Sequence, residues 1–183
     1  MQTIWITGGS SGIGFAVAQK FLEENWRVVI SSRNEDRLKK AVIDLKNITS
    51  KKEIYYKACD VSKYKEVKET ITHIENKISK INIALLNATA YSPNRNQEFD
   101  IKNYNLLIDV NLNGTINCID VLKNYMKGRN NLISIVSSPR LAVICIPVTL
   151  TFASPVTLCS APIDVTISCS VTTILTLPSA LIE

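Results

Sequence analysis

The segment TGGSSGIG, residues 7–14, has glycines at positions 8, 12 and 14, between an apolar run and an amphipathic stretch. Glycine has no Cβ, so a glycine-rich loop turns tightly and brings its backbone N–H groups close to a ligand. Where such a loop joins a strand to the first turn of a helix, these N–H groups point at an anion such as a pyrophosphate. The segment therefore predicts a phosphate-binding loop, made of Gly8, Ser10, Ser11, Gly12, Ile13 and Gly14.

The GxxxGxG spacing of this loop resembles that of the short-chain dehydrogenase/reductase family, and further matches follow in order along residues 3–138. The resemblance implies a Rossmann-type fold that binds NAD(P)(H). It also implies hydride transfer between the nicotinamide and a carbonyl or alcohol carbon of a small-molecule substrate.

The resemblance places further cofactor-binding residues at the ends of three later strands. Arg33 follows the second strand, where a guanidinium suits a 2′-phosphate and an acidic residue would bind the ribose 2′-hydroxyl. NADP(H) is therefore favoured over NAD(H), and the alternative is that Arg33 is only a surface charge. Asp60 and Val61 match the pair that lies against the adenine in this family. Asn87 and Ala88 match its NNAG turn, in which this chain has a threonine instead of the glycine.

Two further segments, DVNLNGT and ISIVSS, resemble those that supply the family's active-site asparagine and serine. The corresponding residues here are Asn111 and Ser138. In the family the asparagine holds a water molecule of the proton relay. Asn111 shares a helical face with Leu107 and Ile108, so we expect its side chain to point inward.

The family's catalytic tyrosine and lysine, in the signature YxASK, have no counterpart in the matching segment TFASP, residues 151–155. Thr151 stands at the tyrosine position and Pro155 at the lysine position. A threonine hydroxyl is too weak an acid to replace a phenol near neutral pH, and proline has neither a charge nor a donor. The alternative to an active oxidoreductase is therefore a non-catalytic nucleotide-binding remnant.

The elements that must position these residues alternate between short β-branched runs and longer amphipathic stretches, which predicts a parallel sheet with helices on both faces. We expect strands at residues 3–7, 27–32, 53–61, 81–88 and 132–138, and helices at residues 13–24, 35–46, 64–78 and 102–126. Right-handed crossovers would join them into a doubly wound α/β sheet of the Rossmann type with three layers. Ligands of such a sheet bind beyond the carboxyl ends of its strands.

The composition changes abruptly after Ser138. The chain has 21 Lys and Arg and 16 Asp and Glu residues, but the last 45 residues contain only Arg140, Asp164 and Glu183 from these types. We therefore expect a nucleotide-binding domain at residues 1–138, incomplete at its C-terminus, and an atypical charge-poor tail at residues 139–183. A shifted reading frame would produce such a break.

The tail also allows a different hypothesis, because residues 141–163 contain no charged residue and are long enough to span a bilayer. Three prolines and many hydroxyl side chains within this stretch make a membrane segment the weaker interpretation. In the family a long helix after the tyrosine position forms part of the dimer interface. The tail leaves too short an interval for that helix, so the sequence does not support the family's homo-oligomer.

The composition of the whole chain is that of a globular protein, with 46% hydrophobic and 20% charged residues. The net charge of +5 is spread over helices in which acids and bases interleave, which argues against a nucleic-acid partner. The five cysteines show neither a CxxC pair nor metal-ligand spacing. Reduced thiols in a cytoplasmic protein without a bound metal are the simplest interpretation.

Overall fold

Five apolar strands form a parallel sheet in the computed structural model, which describes residues 1–91, 100–127, 132–137 and 141–147. Their order across the sheet is β3-β2-β1-β4-β5. The strands are β1 (Thr3–Thr7), β2 (Arg27–Ser31), β3 (Ile54–Tyr56), β4 (Ile83–Leu86) and β5 (Leu132–Ser137). The doubly wound α/β fold expected from the sequence is confirmed.

Five helices connect these strands within the described part of the chain. They are α1 (Gly12–Glu23), α2 (Glu35–Thr49), α3 (Tyr64–His73), α4 (Ile101–Ile108) and α5 (Gly114–Met126). A π-helical turn, Ile74–Ile78, extends α3, and a second one, Asp109–Asn113, joins α4 to α5. None of these helices is both long enough and apolar enough to cross a membrane.

Alternating side chains of the strands enter two separate hydrophobic cores, as the period of two in a strand requires. In β1, Ile4 and Ile6 pack on the side of α1 and α2, whereas Trp5 packs on the side of α3 and α5. All three side chains are buried. Strands covered on both faces carry almost no polar residues, which explains their continuous apolar runs.

Several element boundaries differ from the sequence-based expectation, and two differences concern the candidate site. The third strand ends at Tyr56 instead of residue 61, although the N–H groups of Lys57 and Cys59 still donate to the chain of β2 and the residue after it, and the chain then turns through an Asp60–Ser62 hydrogen bond. The long helix expected at residues 102–126 exists, but the π-helical turn interrupts it. Both differences affect residues that border the candidate site.

A sixth strand, β6 (Leu141–Pro147), pairs antiparallel with β5 and was not expected. Its residues belong to the stretch that the sequence analysis treated as tail. All described residues lie in one compact unit, Met1–Thr151. The segment Ile163 to Cys169 that resembles a later strand of the family lies outside the described residues, and the boundary after residue 138 stays a prediction.

The packing of α2 against the hydrophobic core can be tested by comparing a buried and an exposed residue of this helix. Leu45 is fully buried there, whereas Ile48, three residues later on the same helix, is 56% exposed. We expect Leu45→Ala to lower the free energy of unfolding by about 2–5 kcal/mol, since it removes a buried side chain and leaves a cavity. Ile48→Ala should change it by less than about 0.5 kcal/mol. Urea denaturation of both variants measures the difference, and equal effects would contradict the burial of Leu45.

Candidate functional site

The glycine loop lies between β1 and α1, and its backbone requires two of its glycines. Gly8 has φ +68° and Gly12 has φ +56°, a left-handed conformation that favours glycine. Gly14 is needed for space, because a Cβ at this position would stand 2.5 Å from the carbonyl oxygen of Gly8. A backbone hydrogen bond holds the loop against the end of β2, because the N–H of Gly8 donates to the carbonyl oxygen of Ser31 at 2.7 Å.

Thr7, the last residue of β1, ties this loop to the end of β4. Its buried hydroxyl oxygen accepts hydrogen bonds from the backbone N–H groups of Asn87, at 2.9 Å, and Ala88, at 3.0 Å. The side-chain amide of Asn87 in turn donates to the carbonyl oxygens of Thr7, at 3.3 Å, and Gly8, at 3.4 Å. Thr7 is the first residue of the glycine-rich motif, but the motif alone indicates no role for it.

A cavity of about 360 Å³ opens where the carboxyl ends of β1, β2 and β4 meet. It brings together most of the cofactor-binding residues expected from the sequence, namely Gly8, Ser10, Ser11, Ile13, Arg33, Val61, Asn87 and Ala88. Its wall also contains residues that the sequence analysis did not assign, namely Ser31, Ser32, Asn34, Arg37, Cys59, Thr89 and Val110. Gly12, Gly14 and Asp60 are close in the chain but do not line the cavity.

Asp60 turns away from the cavity, and its two neighbours face it. The Asp60 carboxylate accepts from the N–H of Ser62 at 3.1 Å and from its hydroxyl at 2.7 Å. The N–H of Asp60 donates to Glu66 at 2.9 Å, and this bond is the main reason why the pKa of Glu66 is lowered. Cys59 and Val61 are buried in the cavity wall instead.

Two arginines stand at the edge of the cavity on either side of the start of α2. Arg33 precedes the helix, and Arg37 lies in its first turn, where its N–H donates to the side chain of the capping residue Asn34 at 2.9 Å. Both are exposed. No carboxylate lines the described wall of the cavity, and neither guanidinium forms an ion pair with a described residue. The position of Arg37 in the first turn of the helix that follows β2 was the signal that could have identified it.

Asn111 lies in the π-helical turn, and its side chain binds the backbone of Ala90 through both its amide oxygen and its amide nitrogen. Its amide oxygen accepts from the N–H of Ala90 at 2.7 Å, and its amide nitrogen donates to the carbonyl oxygen of Ala90 at 3.0 Å. The carbonyl oxygen of Asn111 accepts from the hydroxyl of Thr115 at 2.9 Å. Leu107 packs against the core, but Ile108 is 49% exposed and Asn111 is exposed as well, so the expected inward face shared by the three residues is not found.

The remaining residues of the expected catalytic set, Ser138, Thr151 and Pro155, lie outside the described residues. The predicted role of Ser138 therefore stays a prediction. So does the loss of the tyrosine and lysine functions at the other two positions.

Residues 2–142 match the family model described as short chain dehydrogenase. A chloroplastic chlorophyll(ide) b reductase NOL from Oryza sativa subsp. japonica is 33% identical over 131 residues, which are 68% of this chain and 38% of that protein. A 3beta-hydroxysteroid dehydrogenase from Mediterraneibacter gnavus is 33% identical over 114 residues, which are 62% of this chain and 41% of that protein.

Among solved structures, the fold is similar to an alcohol dehydrogenase from the archaeon Thermococcus sibiricus complexed with 5-hydroxy-NADP. The TM-score is 0.68 with 26% sequence identity, over 78% of this chain and 61% of that chain. The chain thus spans about half the length of these relatives.

The hydroxyl of Thr7 provides a test of the junction between β1 and β4. In Thr7→Val the N–H groups of Asn87 and Ala88 lose their acceptor, so we expect the free energy of unfolding to fall by about 2–4 kcal/mol. Thr3 on the same strand is the control, since its buried hydroxyl has no partner among the described residues. Thr3→Val should leave stability unchanged or raise it. Thermal and urea denaturation compare the two, and a neutral Thr7→Val would show that the hydroxyl does not hold the junction.

The reactivity of the Cys59 thiol measures how well the cavity wall is shielded from solvent. Burial raises its pKa from 9.0 to about 11, so at about pH 8 its thiolate is about a hundredfold scarcer than in the unfolded chain. We expect alkylation by iodoacetamide at Cys59 to be slower by about this factor in the folded protein than in urea. Mass spectrometry of the peptide that contains Cys59 measures both rates. Equal rates would mean that the wall is open to solvent.

Proposed function

The chain belongs to the short chain dehydrogenase family, and from this we propose that it binds NADP(H) at the carboxyl ends of β1, β2 and β4. One observation carries the proposal: a cavity with a glycine loop at its floor has two arginines and no carboxylate in its described wall. A dinucleotide presents a pyrophosphate to such a loop. The volume of the cavity falls within the range of ligand pockets.

The residues present fit the cofactor. Ser11 precedes α1 without a side-chain cap, so the first N–H groups of the helix are available to an anion. Val61 and Cys59 supply an apolar wall for the adenine. We assign the 2′-phosphate to Arg33 and Arg37, since guanidinium groups bind phosphate oxygens in a bidentate manner.

The preference for NADP(H) over NAD(H) follows from the charges at the end of β2. A site for NAD(H) uses a carboxylate that accepts a hydrogen bond from the ribose 2′-hydroxyl. The described wall of the cavity contains no such group. Two cations at its edge instead attract the additional charge of a 2′-phosphate.

When bound, the cofactor would transfer a hydride to or from the carbonyl or alcohol carbon of a small molecule. Ser138 is the residue that we expect to contact the substrate oxygen. Asn111 fixes the backbone at Ala90, beside the Asn87–Ala88 wall of the cavity. Oxidoreduction of a small carbonyl or alcohol compound is thus the proposed activity, as in other members of the family.

A second candidate is nucleotide binding without catalysis, and two observations favour it. Thr151 and Pro155 stand where the family has its tyrosine and lysine. Asn111 also makes hydrogen bonds to Ala90 with its side chain and to Thr115 with its carbonyl oxygen, which leaves fewer of its polar groups for a relay water. Binding of NADPH does not require either of these features.

Assays of NADPH oxidation with a panel of aldehydes and ketones separate the two candidates. Turnover that is lost in Ser138→Ala establishes the oxidoreductase. Tight binding of NADPH without turnover on any carbonyl compound establishes the non-catalytic binding protein. Failure to bind either NADPH or NADH would overturn both.

The two arginines make a sharper prediction about the cofactor. We expect Arg33→Ala and Arg37→Ala each to raise the Kd for NADPH by about 10–100-fold, because each removes a charge-assisted hydrogen bond to the 2′-phosphate. The Kd for NADH should change by less than about twofold. Isothermal titration calorimetry measures both, with Lys40→Ala as a control that removes a positive charge from α2 away from the cavity. Equal losses for NADPH and NADH would show that the arginines do not read the 2′-phosphate.

A further inference from the structure

We propose that Asn117 is a positioning residue of the nucleotide site, which holds the Val61 wall of the cavity from the neighbouring helix α5. The inference rests on the proposed function, because it concerns the adenine side of the same cavity. Asn117 itself does not line the cavity.

The contact is a double hydrogen bond over a long separation in sequence. The side-chain amide of Asn117 donates to the carbonyl oxygen of Val61 at 3.0 Å and to that of Ser62 at 3.3 Å. Gly114, one turn earlier, packs on the same segment so closely that a Cβ there would stand 2.6 Å from Cγ2 of Val61. The helix therefore contacts both the backbone and the side chain of the wall.

The wall needs this support because it is not part of the sheet. The strand β3 ends at Tyr56, and beyond it the N–H of Cys59 still donates to the carbonyl oxygen of Ser32 at 3.0 Å. The following residues turn through Asp60 into α3. The position of Val61 is thus set by the turn on one side and by Asn117 on the other.

The same helical stretch also holds the opposite wall. Asn111 binds the backbone of Ala90 after β4, and Val110 beside it lines the cavity itself. Asn111 in the π-helical turn and Asn117 in α5 therefore bind the loops after β4 and β3 from one continuous helical stretch. Loss of Asn117 would release the adenine side alone.

The test measures each half of the cofactor separately. In Asn117→Leu the side chain keeps a similar size but loses its donor, so we expect the Kd for adenosine 2′,5′-bisphosphate to rise at least about tenfold. The affinity for nicotinamide mononucleotide should be unchanged. A general loss of structure would weaken the binding of both ligands. A loss of affinity for the adenine ligand alone therefore indicates that Asn117 positions the adenine side of the cavity. Calorimetry serves the first ligand and ligand-observed NMR the second.

The control is Asn124→Leu, on the same helix, whose exposed amide donates to the carbonyl oxygen of Asp120 at 3.3 Å. It should bind both ligands as the parent protein does. Circular dichroism shows whether each variant is folded. Should Asn117→Leu fail to fold, Asn117→Asp keeps the size and replaces the donor by an acceptor, and the same selective loss is expected.

The outcomes distinguish this inference from the proposed function. If the unaltered protein does not bind adenosine 2′,5′-bisphosphate, the proposed nucleotide site is wrong and this inference falls with it. If the unaltered protein binds and the folded Asn117 variants bind equally well, only the role of Asn117 is wrong. An equal loss of affinity for adenosine 2′,5′-bisphosphate and nicotinamide mononucleotide would also overturn the role of Asn117.

Discussion

The close contact between the glycine loop and the end of β4 is the constraint on which the site depends. The two strands lie side by side, and the hydroxyl of Thr7 binds both N–H groups that follow β4. The amide of Asn87 reaches back to Gly8, and a Cβ at Gly14 would stand 2.8 Å from this amide nitrogen. There is no room for a larger residue at Gly14, in the first turn of α1. These contacts hold the loop in place on the sheet. The position of the loop in turn determines the shape of the cavity.

The helical stretch from Asp109 to Met126 contacts the segments that form the other walls of the cavity. A π-helical turn inserts an extra residue and changes the direction of the side chains that follow. Asn111 in this turn binds the loop after β4, and Thr115 supplies a donor to the Asn111 carbonyl oxygen. Gly114 then rests on Val61. A local irregularity of one helix thus allows it to contact two loops on opposite sides of the cavity.

The sequence predicted the features that depend on local pattern. The spacing of Gly8, Gly12 and Gly14 and the apolar strands were sufficient for the loop and the parallel sheet, because both follow from backbone geometry and from burial on two faces. The orientation of Asp60 was not predictable, since it depends on a hydrogen bond to Ser62 that competes with any ligand. The role of Asn117 was not predictable either, because its acceptors Val61 and Ser62 lie 56 and 55 positions earlier in the chain.

The β6 strand escaped prediction for another reason, because nothing in its composition distinguishes an edge strand from an apolar tail. The antiparallel pairing with β5 is a property of the folded sheet and not of the segment alone.

The proposed cofactor site and the predicted catalytic positions Ser138, Thr151 and Pro155 lie in different parts of the chain, so the two proposed functions need not be lost together. Three carboxylates near the candidate site are engaged: Asp60 by Ser62, Glu66 by Lys63 and by the N–H of Asp60, and Glu35 by Lys39. Glu35 and Asp36 lie between Arg33 and Arg37 in the chain, but neither guanidinium forms an ion pair with a described residue. Thr151 and Pro155 belong to a later segment, outside the described residues. The proposed binding of an anionic nucleotide therefore does not depend on the predicted loss of the proton relay.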